Sequence, residues 1–353
     1  MKRILNGLIL TILILSVSVS CNNNSDNIFG CHVDKVHAEK SIHLNASSVL
    51  FEKQPLIEVI NLHTIDSFLV VKGNVKDCAG QMFIFNLNDK KYTGGSFISK
   101  GIGPNELLKP CCLGQYGNSS EQNSLYIFDL SYYKAYSFNV EESVKRGETV
   151  LSEICKLPDG TLYAYPFRDS LHFIKKPGPD CLDGMVLNQH GGLSETVALY
   201  RDIPGLMYFD KLSSADAFFQ GTDIMAMAMT MLPQVNFIDL KSGARHTTAI
   251  NRHYRKWKQI LLGEFHTQTI CYTAAVQAGD MVVALYYGIS MKEWAAGNIP
   301  AHLHIFNSEG RFLYDISVNQ TLKAICFDNN SRVIYGVDKD DNIYQYDFSS
   351  IIQ

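Results

Sequence analysis

LYIFDL at residues 125–130 is an apolar run closed by an aspartate, and the chain returns to the same phrase again and again. MFIFNL begins at Met82, VNFIDL at Val235, LHIFNS at Leu303 and IYQYDF at Ile343. Repetition of one short unit at a spacing of tens of residues marks a repeat architecture. The closing residues Asn86, Asp129, Asp239, Asn307 and Asp347 are separated by 43, 110, 68 and 40 residues. The long gap has room for another copy, and DSLHFIKKPG from Asp169 supplies it. Six units over residues 49–353 average about 51 residues, the length of a four-stranded propeller blade.

Strand chemistry agrees with this count. FLVVKG, DIMAMAMTM, DMVVALYY and RVIYGVD are apolar at successive positions, so both faces of each strand must be covered, as in a blade stacked between two others. Polar turns such as LPDGT, LKSGAR, NSEGR and DKDDN separate these runs. The fold class expected is therefore all-β, a six-bladed propeller with blades of about four antiparallel strands. The last unit shows three strands, LKAICFD, SRVIYGVD and NIYQYDF, and an N-terminal strand within VLFEKQPLIEVINL is expected to complete it and close the ring. Helical content is expected to be minor, with 253–265 and 290–297 the best candidates.

The first twenty residues, MKRILNGLILTILILSVSVS, read as a signal peptide: Lys2 and Arg3 lead an apolar stretch too short to favour a permanent span. Ser18-Val19-Ser20-Cys21 resembles a bacterial lipobox, with Ser18 where leucine is usual, so Cys21 is the expected lipidation site. Residues 21–48 are expected as the lipidated cysteine and its tether, and 49–353 as the propeller. This places the protein in a bacterial cell envelope, held to a membrane through its lipid. The outer membrane is the expected one, and its periplasmic or surface face is left open.

Removal of residues 1–20 leaves 29 Lys plus Arg against 35 Asp plus Glu, a net charge of −6. Such a chain has no basic character to draw it to nucleic acid. Eight cysteines follow Cys21 at irregular spacing with no C-x-x-C, which fits buried thiols better than a disulfide framework.

Gly101-Ile102-Gly103-Pro104-Asn105-Glu106 resembles the GxGPxE signature of the six-bladed, TolB-like propeller lipoproteins of Bacteroidetes, a family of largely unassigned function. With the lipobox and the repeats, the resemblance extends over nearly all of the chain beyond residue 20. The glycines are expected to take backbone shapes closed to other residues, and Glu106 to accept N–H bonds within the loop. Gly101, Gly103, Pro104 and Glu106 are thereby candidates for a binding loop, with a structural turn as the simpler reading.

No nucleophile motif is present, and no catalytic residue is assigned. His32, His37 and His43 share no face with the regularity a metal site needs. His302 and His304 lie on one strand face with Phe306, but two ligands do not make a site. Asp338, Asp340 and Asp341 lack the glycine and distal glutamate of an EF-hand and read as a solvated turn. No metal or other cofactor is expected, calcium being the one considered. The leading expectation is a non-catalytic module for a protein, peptide or glycan partner. The alternative is a metal-dependent hydrolase of the lactonase kind, with its ion in the central channel.

Overall fold

In the computed structural model the repeated phrases become strands of six separate sheets. The structure describes residues 28–48, 57–115, 124–168, 171–178, 182–200, 212–219, 221–250, 268–297 and 299–352. Strands β1 (Val33–Val36), β2 (Lys40–His43) and β3 (Ser47–Ser48) come first. Blade one holds β4 (Glu58–Ile65), β5 (Phe68–Asn74), β6 (Gly80–Asn86) and β7 (Lys91–Ser99). Blade two holds β8 (Pro110–Gln115), β9 (Ser124–Asp129), β10 (Lys134–Asn139) and β11 (Leu151–Lys156). Blade three holds β12 (Tyr163–Phe167), β13 (Leu171–Pro177), β14 (Leu182–Leu187) and β15 (Leu193–Ala198). Blade four holds β16 (Ser214–Phe218), β17 (Ile224–Met229), β18 (Gln234–Asp239) and β19 (Arg245–Ile250). Blade five holds β20 (Thr269–Ala278), β21 (Met281–Ser290), β22 (His302–Asn307) and β23 (Phe312–Ser317). Blade six is β24 (Leu322–Asp328), β25 (Val333–Asp338) and β26 (Ile343–Asp347), completed by β3.

The fold is thus the expected six-bladed propeller, and part of the irregularity of its gaps now has a cause. The phrase is the third strand of blades one, four, five and six but the second strand of blades two and three. A step from third strand to second is short, and the 110-residue step spans two blades and one strand more. The closing Asp and Asn residues make turns. Asn86 accepts from the Asn88 N–H at 2.9 Å, Asp239 from Lys241 and Ser242 at 2.9 Å, and Asp347 from Ser349 at 2.9 Å.

Each blade interface carries its own apolar cluster. β17 shows why: Met225, Met227 and Met229 pack with Phe173 of blade three, while Ala226 and Ala228 face the opposite way with Tyr272 and Phe306 of blade five. Large residues on one face and small ones on the other let adjacent sheets nest. Each such fully buried methionine or phenylalanine contributes about 1.5–3 kcal/mol.

The N-terminal expectations need correction in two respects. Residues 28–48 do not behave as a tether: Ile28 and Phe29 are buried between blades three and four, β1 adds in parallel to the edge of β19, and β2 adds in parallel to β23. The apolar pair Ile28-Phe29 and the edge strands' unpaired backbone groups account for this docking. Ring closure is through the N-terminal segment, but the closing strand is Ser47–Ser48, paired with Gln345 and Tyr344, and VINL belongs to β4. Cys21 and the helix expected at 253–265 lie outside the described residues. The other expected helix is present as α2 (Met291–Ala296), with a capping box from Ser290 and Glu293, while α1 (Val140–Arg146), capped by Asn139 and Gly147, was not anticipated. Among the described residues no helix is long and apolar enough to cross a membrane. Cys31, Cys78, Cys111, Cys155, Cys271 and Cys326 are thiols, the last three buried.

Candidate binding channel and a histidine–aspartate cluster

The inner strands β4, β8, β12, β16, β20 and β24 surround a central cavity of about 640 Å³. Tyr163, Tyr165 and Phe218 supply aromatic surface, while Asn61, His63, Lys72, Thr273, Gln277 and Lys323 supply polar groups. Two of the polar atoms, His63 Nε2 and Thr273 Oγ1, are buried without a hydrogen-bond partner. Leaving a buried polar atom unpaired costs about 1–3 kcal/mol, so such atoms call for water or a ligand. Burial keeps the His63 imidazole neutral, pushing its pKa down to about 4.

Asp216 is the one carboxylate among the described lining residues, and protein donors occupy it. Lys175 Nζ lies 2.6 Å from Oδ2, the Tyr165 hydroxyl donates to Oδ2 at 2.8 Å, and the Ser214 hydroxyl donates to Oδ1 at 2.8 Å. Both charged side chains are almost wholly buried, at 2 % and 1 % exposure. Such a pair fixes β13 of blade three to β16 of blade four. Among the described residues this leaves the channel without a carboxylate free to chelate an ion.

The GxGPxE loop connects β7 to β8 and does not line this cavity. Glu106 turns back into its own loop, and its Oε2 accepts the Gly103 N–H at 2.8 Å. The glycines serve a different purpose from the one expected, since neither has a positive φ; Asn105 does, at 62°. A Cβ on Gly101 would stand 2.0 Å from Glu106 Oε2 and one on Gly103 3.0 Å away, so the carboxylate occupies the space both leave. Pro104 follows them at the tip of this turn, and Ile102 points into solvent at 78 % exposure.

Of the histidines singled out in the sequence, His32 and His43 separate: His32 pairs with Asp34 on β1, and His43 Nδ1 meets the Ser317 hydroxyl. His302 and His304 do come together with a third residue. Asp315 on β23 lies directly opposite His304, and its Oδ1 is 2.6 Å from His302 Nδ1 and 3.5 Å from His304 Nε2. Burial alone would raise the Asp315 pKa, but the hydrogen bonds and charge of His302 and His304 outweigh it and hold the carboxyl well below the usual range. His304 is packed between Tyr286, with ring centroids 4.3 Å apart, and Phe312, at 4.7 Å. Asp338 makes the expected turn, its Oδ1 accepting from the Asp340 and Asn342 N–H groups at 2.9 Å, but the residue itself is buried and not solvated.

Sequence reasoning missed Tyr163, Tyr165 and Asp216, because inner strands do not carry the repeated phrase. Tyr126, Tyr286 and Tyr287, on strands covered on both faces, are buried core.

No protein-family model and no curated protein matches the sequence. Solved structures do match in shape. A member of the DUF4221 family from Bacteroides vulgatus aligns with a TM-score of 0.54 at 10 % identity, over 88 % of this chain and 97 % of the other. A Bacteroides fragilis protein described as exported aligns with a TM-score of 0.54 at 9 % identity, over 89 % and 98 %. At these identities the likeness is one of fold, and the chain is a six-bladed propeller of the shape found in those Bacteroides proteins.

Proposed function

We propose that the protein is an envelope lipoprotein, anchored through Cys21, whose propeller is a non-catalytic binding module with its ligand seated in the central channel. The observation that carries this reading is the pairing of aromatic surface at Tyr163, Tyr165 and Phe218 with the unpartnered buried polar atoms of His63 and Thr273. Flat apolar surface beside a few orienting polar groups suits a sugar ring or a short peptide. The signal sequence supports export, and the description of the Bacteroides fragilis fold neighbour agrees with it. The hydrolase alternative gains no support from the channel, where Asp216 is held by Lys175, Tyr165 and Ser214. Calcium would need six to eight oxygen ligands in one place.

Ligand-observed NMR with a panel of oligosaccharides and short peptides tests the channel. Binders are expected, and Ala215→Trp, which fills the cavity, should abolish their signals. Binding that survives Ala215→Trp would move the site off the channel. Anchoring is checked separately by fractionation: Cys21→Ala should release the protein from the membrane fraction.

A further inference from the structure

The cluster on blade five takes no part in the channel, and its geometry exceeds what packing requires. A single imidazole could serve Asp315 Oδ1 as its hydrogen-bond donor. Here two reach the same oxygen from one strand, and one donor atom each from His302, His304 and Asp315 lie within 4.8 Å of one another. Zinc held tetrahedrally at about 2.0–2.1 Å sets its ligands about 3.3 Å apart. The 3.5 Å between His304 and Asp315 already has that spacing, and the 2.6 Å between His302 and Asp315 needs to open by only about 0.7 Å.

The surroundings orient one ligand and leave access to the others. His304 Nδ1 lies 3.2 Å from the Tyr272 hydroxyl, so once an ion displaces the Nε2 proton that faces Asp315, Nδ1–H can donate to that oxygen and leave the Nε2 lone pair for the metal. With its ring clamped by Tyr286 and Phe312, His304 is 3 % exposed. His302 and Asp315 are 40 % and 31 % exposed, so the group is walled on the core side and open towards solvent.

We propose that His302, His304 and Asp315 form a three-ligand site for one divalent transition-metal ion, zinc by their donor chemistry, with a fourth position facing solvent. Two imidazoles and one carboxylate suit zinc and its borderline neighbours and disfavour the all-oxygen preference of calcium or magnesium. The ion would tie β22 to β23 beside Ser41 of the N-terminal strand β2, which pairs with Asp315. The site is independent of any ligand in the channel.

The test uses the full chain in mild detergent, stripped with EDTA and titrated with Zn²⁺ alone by calorimetry, and with Co²⁺ followed by visible absorption. One equivalent of zinc should bind, and cobalt should show the intense d–d bands of a four-coordinate site that zinc bleaches. His302→Ala and Asp315→Asn should each weaken binding by about tenfold or more, while Tyr272→Phe should weaken it by about tenfold with stoichiometry kept. His246→Ala, which removes an imidazole beside the exposed Asp34, should leave affinity unchanged. Melting in EDTA establishes that each variant is folded; His302 is exposed enough for its loss to spare the core. Absence of zinc uptake by the parent chain, or equal affinity in folded His302→Ala and parent, would overturn the proposal.

Discussion

Asp216 on the channel wall and Asp315 on the flank of blade five are both strand carboxylates beside basic side chains, yet they have opposite fates. Asp216 is fully committed: an ammonium, a phenol and an alcohol use both its oxygens, and its side chain is 1 % exposed. Asp315 receives both imidazoles on a single oxygen and keeps a face towards solvent. A carboxylate near a cavity is therefore no guide to chemistry. What decides is how many of its lone pairs the protein has already used.

The comparison is broken most severely at Lys175. Lys175→Met leaves Asp216 buried without its counter-charge and should cost about 3–5 kcal/mol in urea unfolding, whereas adding Asp216→Leu should recover most of the loss. A Lys175→Met variant as stable as the parent would show that the pair is not held as described.

Acid sharpens the contrast. His63 on the channel wall is kept neutral in the fold with a pKa of about 4 against 6.5 when unfolded, so the unfolded chain binds the proton first. Its stabilisation is present above pH 6.5 and is lost as pH falls towards 4, by roughly 3 kcal/mol in total. On the flank, burial also lowers the His304 pKa, while Asp315 opposes that shift. Asp315 itself, held low, gives up its contribution only below the unfolded carboxylate value near pH 3.8. Chemical unfolding measured across pH 7 to 4 should lose a large part of its slope in His63→Phe, the rest belonging to His172, which burial also lowers to about 4, and the slope should persist in Asp315→Asn.

Zinc tests the flank alone. At a hundredfold excess over its Kd the ion should stabilise the fold by about 2.7 kcal/mol in thermal melts, and His302→Ala should remove that gain while Lys175→Met/Asp216→Leu retains it. The smallest effect belongs to a carboxylate that serves neither role: Glu106→Ala should cost about 1 kcal/mol through the lost Gly103 bond and leave metal uptake unchanged.

The propeller was legible because strands covered on both faces repeat an apolar phrase, and each phrase ends in a residue that makes its own turn. Blades two and three shift the phrase by one strand, which a linear spacing registers only as irregularity. The flank was half legible. His302 and His304 share a strand face in any extended chain, but Asp315 faces them because of a bulge between Ile305 and Phe306. Without it His304 would sit one residue out of register and Asp315 would turn to the other face of the sheet. Nothing in NSEGR announces that extra residue. Channel residues were hidden for another reason: Tyr163, Tyr165 and Asp216 lie on short inner strands whose neighbours around the ring are far away in sequence.

The path of residues 33–48 has a kinetic consequence. This segment visits blade four with β1, blade five with β2 and blade six with β3, in that order, so the first part of the fold to be synthesised is among the last that can be placed. Its partners lie more than two hundred residues downstream, and contacts so distant in sequence make folding slow. Until blades four, five and six exist in turn, these strands have no edge to join. An unfinished chain is thus kept open at its leading end, the condition in which a polypeptide can still be threaded through a narrow pore. Latching of the N-terminal strands across three successive blades then marks the moment at which the ring becomes a single cooperative body.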